Sequence, residues 1–210
     1  MTDDFVWTNE DLKTFQGVYQ GNHHVISGAL FCGSSAGLIS SLEGAVVNLR
    51  MEHCASIAKT LCQAIVVGES SGTVSNCSVS DSIVVSADTN AYTGAIVGLA
   101  KLNSVISYNT SENNRIMNDG NAAGGIVGQS DVSVRDCLVN GGDVSGEEST
   151  GGIVGTVTNS AEGICIHGCQ SSANIPESII LVASADIMCS IRLLSQVDHS
   201  QYPNVQIAET

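Results

Sequence analysis

Isoleucine and valine recur as an adjacent pair between glycines along the middle of this chain, at a nearly constant interval. The pattern reads Gly94-Ala95-Ile96-Val97-Gly98, Gly124-Gly125-Ile126-Val127-Gly128 and Gly151-Gly152-Ile153-Val154-Gly155. Looser copies precede these at Gln63-Ala64-Ile65-Val66-Val67-Gly68 and Ala36-Gly37-Leu38-Ile39-Ser40. The fifth positions fall at 40, 68, 98, 128 and 155, so the steps are 28, 30, 30 and 27. A period of this size marks a stacked array of small structural units. A second apolar segment follows each copy, at 46–49, 74–77, 105–108, 134–137 and 166–169, closing on Leu49, Cys77, Tyr108, Cys137 and Cys169. A weaker third segment comprises Val79 with Ile83-Val84-Val85, then Ile116, Val139 with Val144, and Ile175.

These runs are short, rich in β-branched residues and broken by Gly and Ser, with no sustained 3.6-residue stripe. They predict strands and not helices. Three strands per coil predict an all-β, three-faced β-solenoid of about six coils of 27–30 residues. Stacked coils place equivalent residues about 4.8 Å apart, so interior side chains form apolar ladders. Backbone groups then pair with the coils above and below. The flanking glycines are expected to supply bends with positive φ. An open array end exposes strand edges, so terminal caps are expected. Thr8-Asn9-Glu10-Asp11-Leu12 predicts a short helix with Thr8 or Asn9 as its N-cap. Residues 179–183 are expected to form a degenerate sixth copy, and 184–210 a covering segment. The chain therefore divides into 1–34 (N-terminal cap and first coil), 35–178 (repeats) and 179–210 (last coil and C-terminal cap), all within one domain.

A family resemblance follows from particular residues. The stretch Phe15-Gln16-Gly17-Val18-Tyr19-Gln20-Gly21-Asn22-His23-His24-Val25-Ile26-Ser27-Gly28 resembles the F-x-G-x-Y-D-G-N-G-H-x-I-S-G opening of bacterial GLUG-repeat proteins. Ala36-Gly37-Leu38-Ile39 and Gly44-Ala45-Val46-Val47-Asn48-Leu49 resemble the elements that follow it in that family, and the later G-G-I-V-G copies are similar to the same repeat. The likeness spans about residues 15 to 175 and departs from the pattern at Gln20, His23 and Ser40. It implies a right-handed parallel β-helix, most often a non-catalytic stalk or adhesive region of surface proteins.

Composition narrows the function. The 210 residues are 43% hydrophobic but only 4% aromatic, so the core must be aliphatic. Net charge is -14, and the seven cations (Lys13, Arg50, Lys59, Lys101, Arg115, Arg135, Arg192) are scattered. That surface repels phosphate backbones, which excludes nucleic acid as a partner. No apolar stretch is long enough to span a bilayer, so no membrane insertion is expected. Met1-Thr2-Asp3-Asp4 does not open a signal peptide. An intracellular or particle-assembled location is expected, with the cell surface if the chain is a trimmed piece. The eight cysteines predict buried core thiols over disulfides or metal ligands. Cys165 and Cys169 form a C-x3-C pair without the second pair that structural zinc requires.

Candidate chemistry is sparse. Gly33-Ser34-Ser35-Ala36-Gly37 and Gly68-Glu69-Ser70-Ser71-Gly72 match G-x-S-x-G, but neither precedes a predicted helix as a nucleophile elbow must. His23-His24 are adjacent, and neighbours in a strand point to opposite faces, so a shared metal is not expected. In the resemblance His24 takes the place of a structural histidine near a turn. Asn118-Asp119-Gly120-Asn121 and Gly142-Asp143 with Glu147-Glu148 are acidic but lack calcium-loop spacing and read as turns. Glycosylation motifs occur at Asn76, in a predicted strand, and at Asn109. No catalytic, cofactor or metal site is assigned. The expectation is a non-enzymatic structural or binding module for adhesion or protein scaffolding, with a protein partner and a glycan second. The loops near 109–123 and 141–150 are its expected contact surfaces. The alternatives are a component of a virion, tail or other assembled particle, and a polysaccharide-active β-helix lyase or hydrolase with carboxylates stacked from distant coils.

Overall fold

Every described strand pairs in parallel with the equivalent strand one coil away, so the chain winds as a single right-handed parallel β-solenoid of about five turns. A computed structural model describes residues 13–22, 24–34, 36–158, 164–175 and, for the backbone alone, 190–193. The expected N-terminal helix and the sixth copy at 179–183 lie outside the described residues, as does most of 184–210. Residues 190–193 form one further strand beside Ile166–Ser171.

The repeat interval read from the motif is the coil length. Val67 pairs with Ile39 and Val97, Val97 with Val127, and Val127 with Val154. These strands, Thr14–Phe15, Ile39–Leu42, Val67–Ser70, Val97–Ala100, Val127–Ser130 and Val154–Val157, build a six-stranded sheet. A second sheet holds two strands per coil, such as Thr73–Ser75 and Ser78–Ser80. A third comprises Leu30–Gly33, Ala55–Ala58, Ile83–Ser86, Arg115–Asn118 and Asp143–Gly146. A fourth comprises Cys62–Gln63, Tyr92–Gly94, Ala122–Gly124 and Ser149–Gly151.

A full coil thus carries five strands in four sheets, where the periodicity predicts three strands on three faces. Two physical causes account for the difference. First, the expected third segment is split by a one-residue left-handed kink. Asn48, Asn76, Tyr108, Asp136 and Gly168 hold φ of 57°, 54°, 57°, 52° and 65° at one corner, and Gly28, His53, Asp81, Asn113 and Gly141 repeat this at the next. Asn and Asp tolerate this region best among residues with a Cβ. Second, the fourth sheet folds back over the first. Its strands sit just before the Ile-Val pair and are only two or three residues long, and Ala122-Ala123-Gly124 and Ser149-Thr150-Gly151 carry little strand signal.

Apart from Gly37 in the first looser copy, at φ 146°, the motif glycines do not serve as positive-φ bends, and this corrects the expectation. Among the fifth-position glycines, Gly98, Gly128 and Gly155 adopt ordinary φ. What they provide is room. A Cβ on Gly98 would lie 2.5 Å from the Gln63 amide nitrogen, and one on Gly155 would lie 2.7 Å from the Ala123 carbonyl oxygen. A Cβ on Gly124 or Gly151 would overlap the carbonyl oxygen of Val127 or Val154. Two backbones therefore meet with no side chain between them, and only glycine allows that approach.

The core is aliphatic as composition requires. Val46, Val74, Ile106, Val134 and Ile166 stack in register as one buried ladder. Ile96, Val97, Ile126 and Val127 are all fully buried. The register corrects one reading: Ile106, not Val105, pairs with Val74, so the inward turn series is Leu49, Cys77, Asn109, Cys137 and Cys169. A one-residue slip in a strand exchanges its two faces. Tyr108 accordingly stands 60% exposed, whereas Asn109 is fully buried.

Candidate functional site

Buried polar groups at the coil corners are committed to structure. The Asn109 side-chain oxygen accepts from the Cys77 amide at 3.0 Å, and its amide donates to the Val74 carbonyl at 3.0 Å. Asn114 repeats the device one corner on, accepting from the Ser82 amide at 2.8 Å and donating to the Val79 carbonyl at 2.8 Å. The Cys54 amide donates to Ser82 Oγ at 3.0 Å, and the Cys137 amide to Cys169 Sγ at 3.4 Å. At these corners a side chain from the following coil thus receives the N–H that the turn would leave unpaired. Asn109, fully buried, is closed to glycosylation. Asn76 lies in a turn and not in a strand; it is exposed and donates to Asn48 Oδ1 at 2.6 Å.

The thiols divide by position. Cys54, Cys62, Cys77, Cys137 and Cys169 are buried and free, and Cys32 is free but exposed. Burial pushes Cys62 up to about 12 and Cys77 up to about 11, because a thiolate there would lose its water. Cys137 is raised by its contact with the Cys169 sulfur and by burial. Cys165 is disulfide-bonded, a correction to the all-thiol expectation, and Cys169 is not its partner because it is a free thiol.

The residues singled out for chemistry are kept apart by the fold. His24 is exposed in the turn before Val25–Ser27, and its amide donates to the Gly21 carbonyl at 2.9 Å. His53 occupies a left-handed corner one coil later, and His167 lies on the outer face of Ile166–Ser171. His23 and Ser35 lie outside the described residues. Ser70 is buried and donates to the Gly72 carbonyl at 3.3 Å, in a strand and not at a strand-to-helix elbow. Asn118 closes a turn, donating to the carbonyls of Ala91 and Ala122 and accepting from the Gly120 amide. Among the described residues no group of three His, Cys, Asp or Glu side chains is placed to hold a metal ion.

The loops expected as contact surfaces resolve into ladder. Residues 109–123 contain Thr110–Glu112, Arg115–Asn118 and the start of Ala122–Gly124, and 141–150 contain Asp143–Gly146. What remains as surface is the sheet faces themselves. On the third sheet one outward row reads Leu30, Ala55, Ile83, Arg115 and Asp143, and the other reads Cys32, Ile57, Val85, Met117 and Ser145. Leu30 is 64% exposed, Ile57 51% and Ile83 42%. Apolar side chains therefore fill both rows across the first three coils and give way to charge and hydroxyl at the fifth. The outer face of the second sheet is mixed. It carries Thr73, Ser75, Ser78, Ser80, Ser107 and Thr110, with Ser75 Oγ meeting Ser107 Oγ at 3.1 Å. Among them the exposed Val18, Val25, Val105 and Leu138 stand apart from one another.

No protein-family model and no curated protein matches the chain. Among solved structures it is similar in fold to a protein described as a putative immunoglobulin A1 protease from Bacteroides ovatus. The TM-score is 0.57 at 20% sequence identity, over 74% of this chain and 51% of that one. The likeness is one of fold, and the chain spans about half the length of that structure.

Proposed function

We propose that this chain is a non-catalytic β-solenoid module of the GLUG-repeat type that holds a protein partner against one of its stacked faces. The observation that carries the reading is the third sheet, where Leu30, Ile57 and Ile83 stand exposed in register with Ala55, Val85 and Met117. A contiguous apolar face on a soluble surface is a contact site in search of cover. Ladder pairing holds its side chains on a rigid grid, so little ordering entropy opposes binding. Its residues are aliphatic, which suits a protein surface better than the stacking face of a sugar. His24, His53 and His167 stand at different places on different coils, and Ser70 donates to the Gly72 carbonyl, which supports the non-catalytic part.

Gel filtration of a gently prepared native extract, with the chain followed by antibody, tests the reading. Elution in a complex with another protein is expected, and elution at monomer size throughout would overturn it. The structural neighbour's description supplies the second arm. Immunoglobulin A and polysaccharides should survive incubation with the purified chain, and turnover of either would end the non-catalytic assignment.

A further inference from the structure

The apolar rows of the third sheet are bordered by acid on both sides. On the side of the left-handed corners stand Glu52, Asp81 and Glu112, each two or three residues before its strand. On the opposite side, where the chain leaves these strands, stand Asp88, Asp119, Glu147 and Glu148. All are exposed or half-buried. The nearby cations are fewer: Arg50 is engaged by Glu52 at 3.3 Å, Lys59 follows the strand Ala55–Ala58, and Arg115 closes one apolar row.

We propose that this face docks a protein segment or surface that is aliphatic along its centre and bears lysine or arginine along both margins. The inference rests on the binding-module reading and names the partner's chemistry. Burial of Leu30, Ile57, Ile83, Val85 and Met117 supplies the driving force, since apolar area removed from water is what stabilises such contacts. The acidic margins select the partner, because charge complementarity governs encounter and excludes wrong surfaces. A second copy of this chain is disfavoured by the same margins. Face-to-face pairing would set acid against acid in a chain of net charge -14. A glycan is disfavoured because, among the described residues, the exposed aromatic Tyr108 belongs to a corner of the second sheet and not to this face.

The probe is a display library of random linear peptides selected on the full chain. Selected sequences should interleave aliphatic residues with lysine or arginine. Ile57→Asp should weaken them by at least about tenfold, the scale of a central contact residue. Asp88→Lys with Asp119→Lys should weaken them several-fold. It should also flatten the loss of affinity on going from about 0.05 to about 0.5 M salt, since screened charges carry that part. Ile57 and Asp119 are exposed, so circular dichroism should match the parent chain. Asp88 is half-buried and accepts from the Asn90 amide at 3.0 Å. Asp119→Lys alone, with a smaller effect of the same sign, therefore serves as the control for a lost turn bond. Selected peptides without cations, or binding indifferent to Ile57→Asp, would overturn the proposal while leaving a binding module with another face. Sedimentation of the parent chain as a dimer that Ile57→Asp separates would also overturn it and give the face to a second copy.

Discussion

The two kinds of corner in each coil invert the usual use of glycine. Where the backbone turns left-handed, the chain most often places a residue with a full side chain, such as Asn48, Asn76, Asp81, Asn113 or Asp136. Glycine stands only at Gly28, Gly141 and Gly168 among the ten positions of the two left-handed corner series. Where the backbone has ordinary φ, it places Gly94, Gly124, Gly128, Gly151 and Gly155. The first corner is limited by torsion and the second by space. Asn and Asp meet the torsional demand at small cost and keep a polar group for the corner. Nothing but glycine meets the spatial one, because the fourth sheet lies directly on the backbone of the first.

Substitutions can break that contrast, and the largest effect belongs to the core behind both corners. Ile126→Asp would place an unpaired charge in a fully buried ladder, a penalty of several kcal/mol. Loss of the folded array is expected in circular dichroism, and an unchanged melting curve would contradict the inward assignment. Next comes Gly124→Ala. The methyl has to displace the Val127 carbonyl, so a loss of about 3 kcal/mol is expected, near the upper end for overpacking. Asn76→Val tests the other corner. Forcing a β-branched residue to positive φ should cost about 1–2 kcal/mol. Asn76→Gly should be close to neutral by the same thermal assay.

The buried thiols give a smaller effect that depends on pH. Their folded values lie above the ordinary 9.0, at about 12 for Cys62 and about 11 for Cys77. Between the two limits the unfolded chain gives up a proton that the folded chain keeps. Stability is therefore intact below the unfolded value and declines as pH rises through the window, by about 1.4 kcal/mol per unit for each thiol. Melting measured upward from neutral pH should fall above about 9, and Cys62→Ala with Cys77→Ala should flatten that fall. A parent chain with no such decline would show that these thiols are hydrated.

The coil length was legible in the sequence because the Ile-Val pair repeats with almost no drift, and the strand pairing follows that interval coil by coil. The register at 105–108 was not, because Val105 and Ile106 are both β-branched and either fits an inward position. Tyr108 concealed the corner as well, since a bulky aromatic gives no hint of left-handed φ. The fourth sheet escaped because Ala122-Ala123-Gly124 and Ser149-Thr150-Gly151 look like linker. The exposed apolar face of the third sheet had a signal that strict repeat alignment passed over. Ile83-Val84-Val85 is apolar on both faces of its strand, whereas a face open to water usually alternates.

The most direct test of the glycine contrast is the melting temperature of Gly124→Ala beside that of Asn76→Gly. At roughly 2–4 °C per kcal/mol for a chain of this size, Gly124→Ala should melt about 6–12 °C lower while Asn76→Gly stays within a degree or two of the parent. A Gly124→Ala variant that melts with the parent chain would mean that the fourth sheet does not meet the first backbone to backbone.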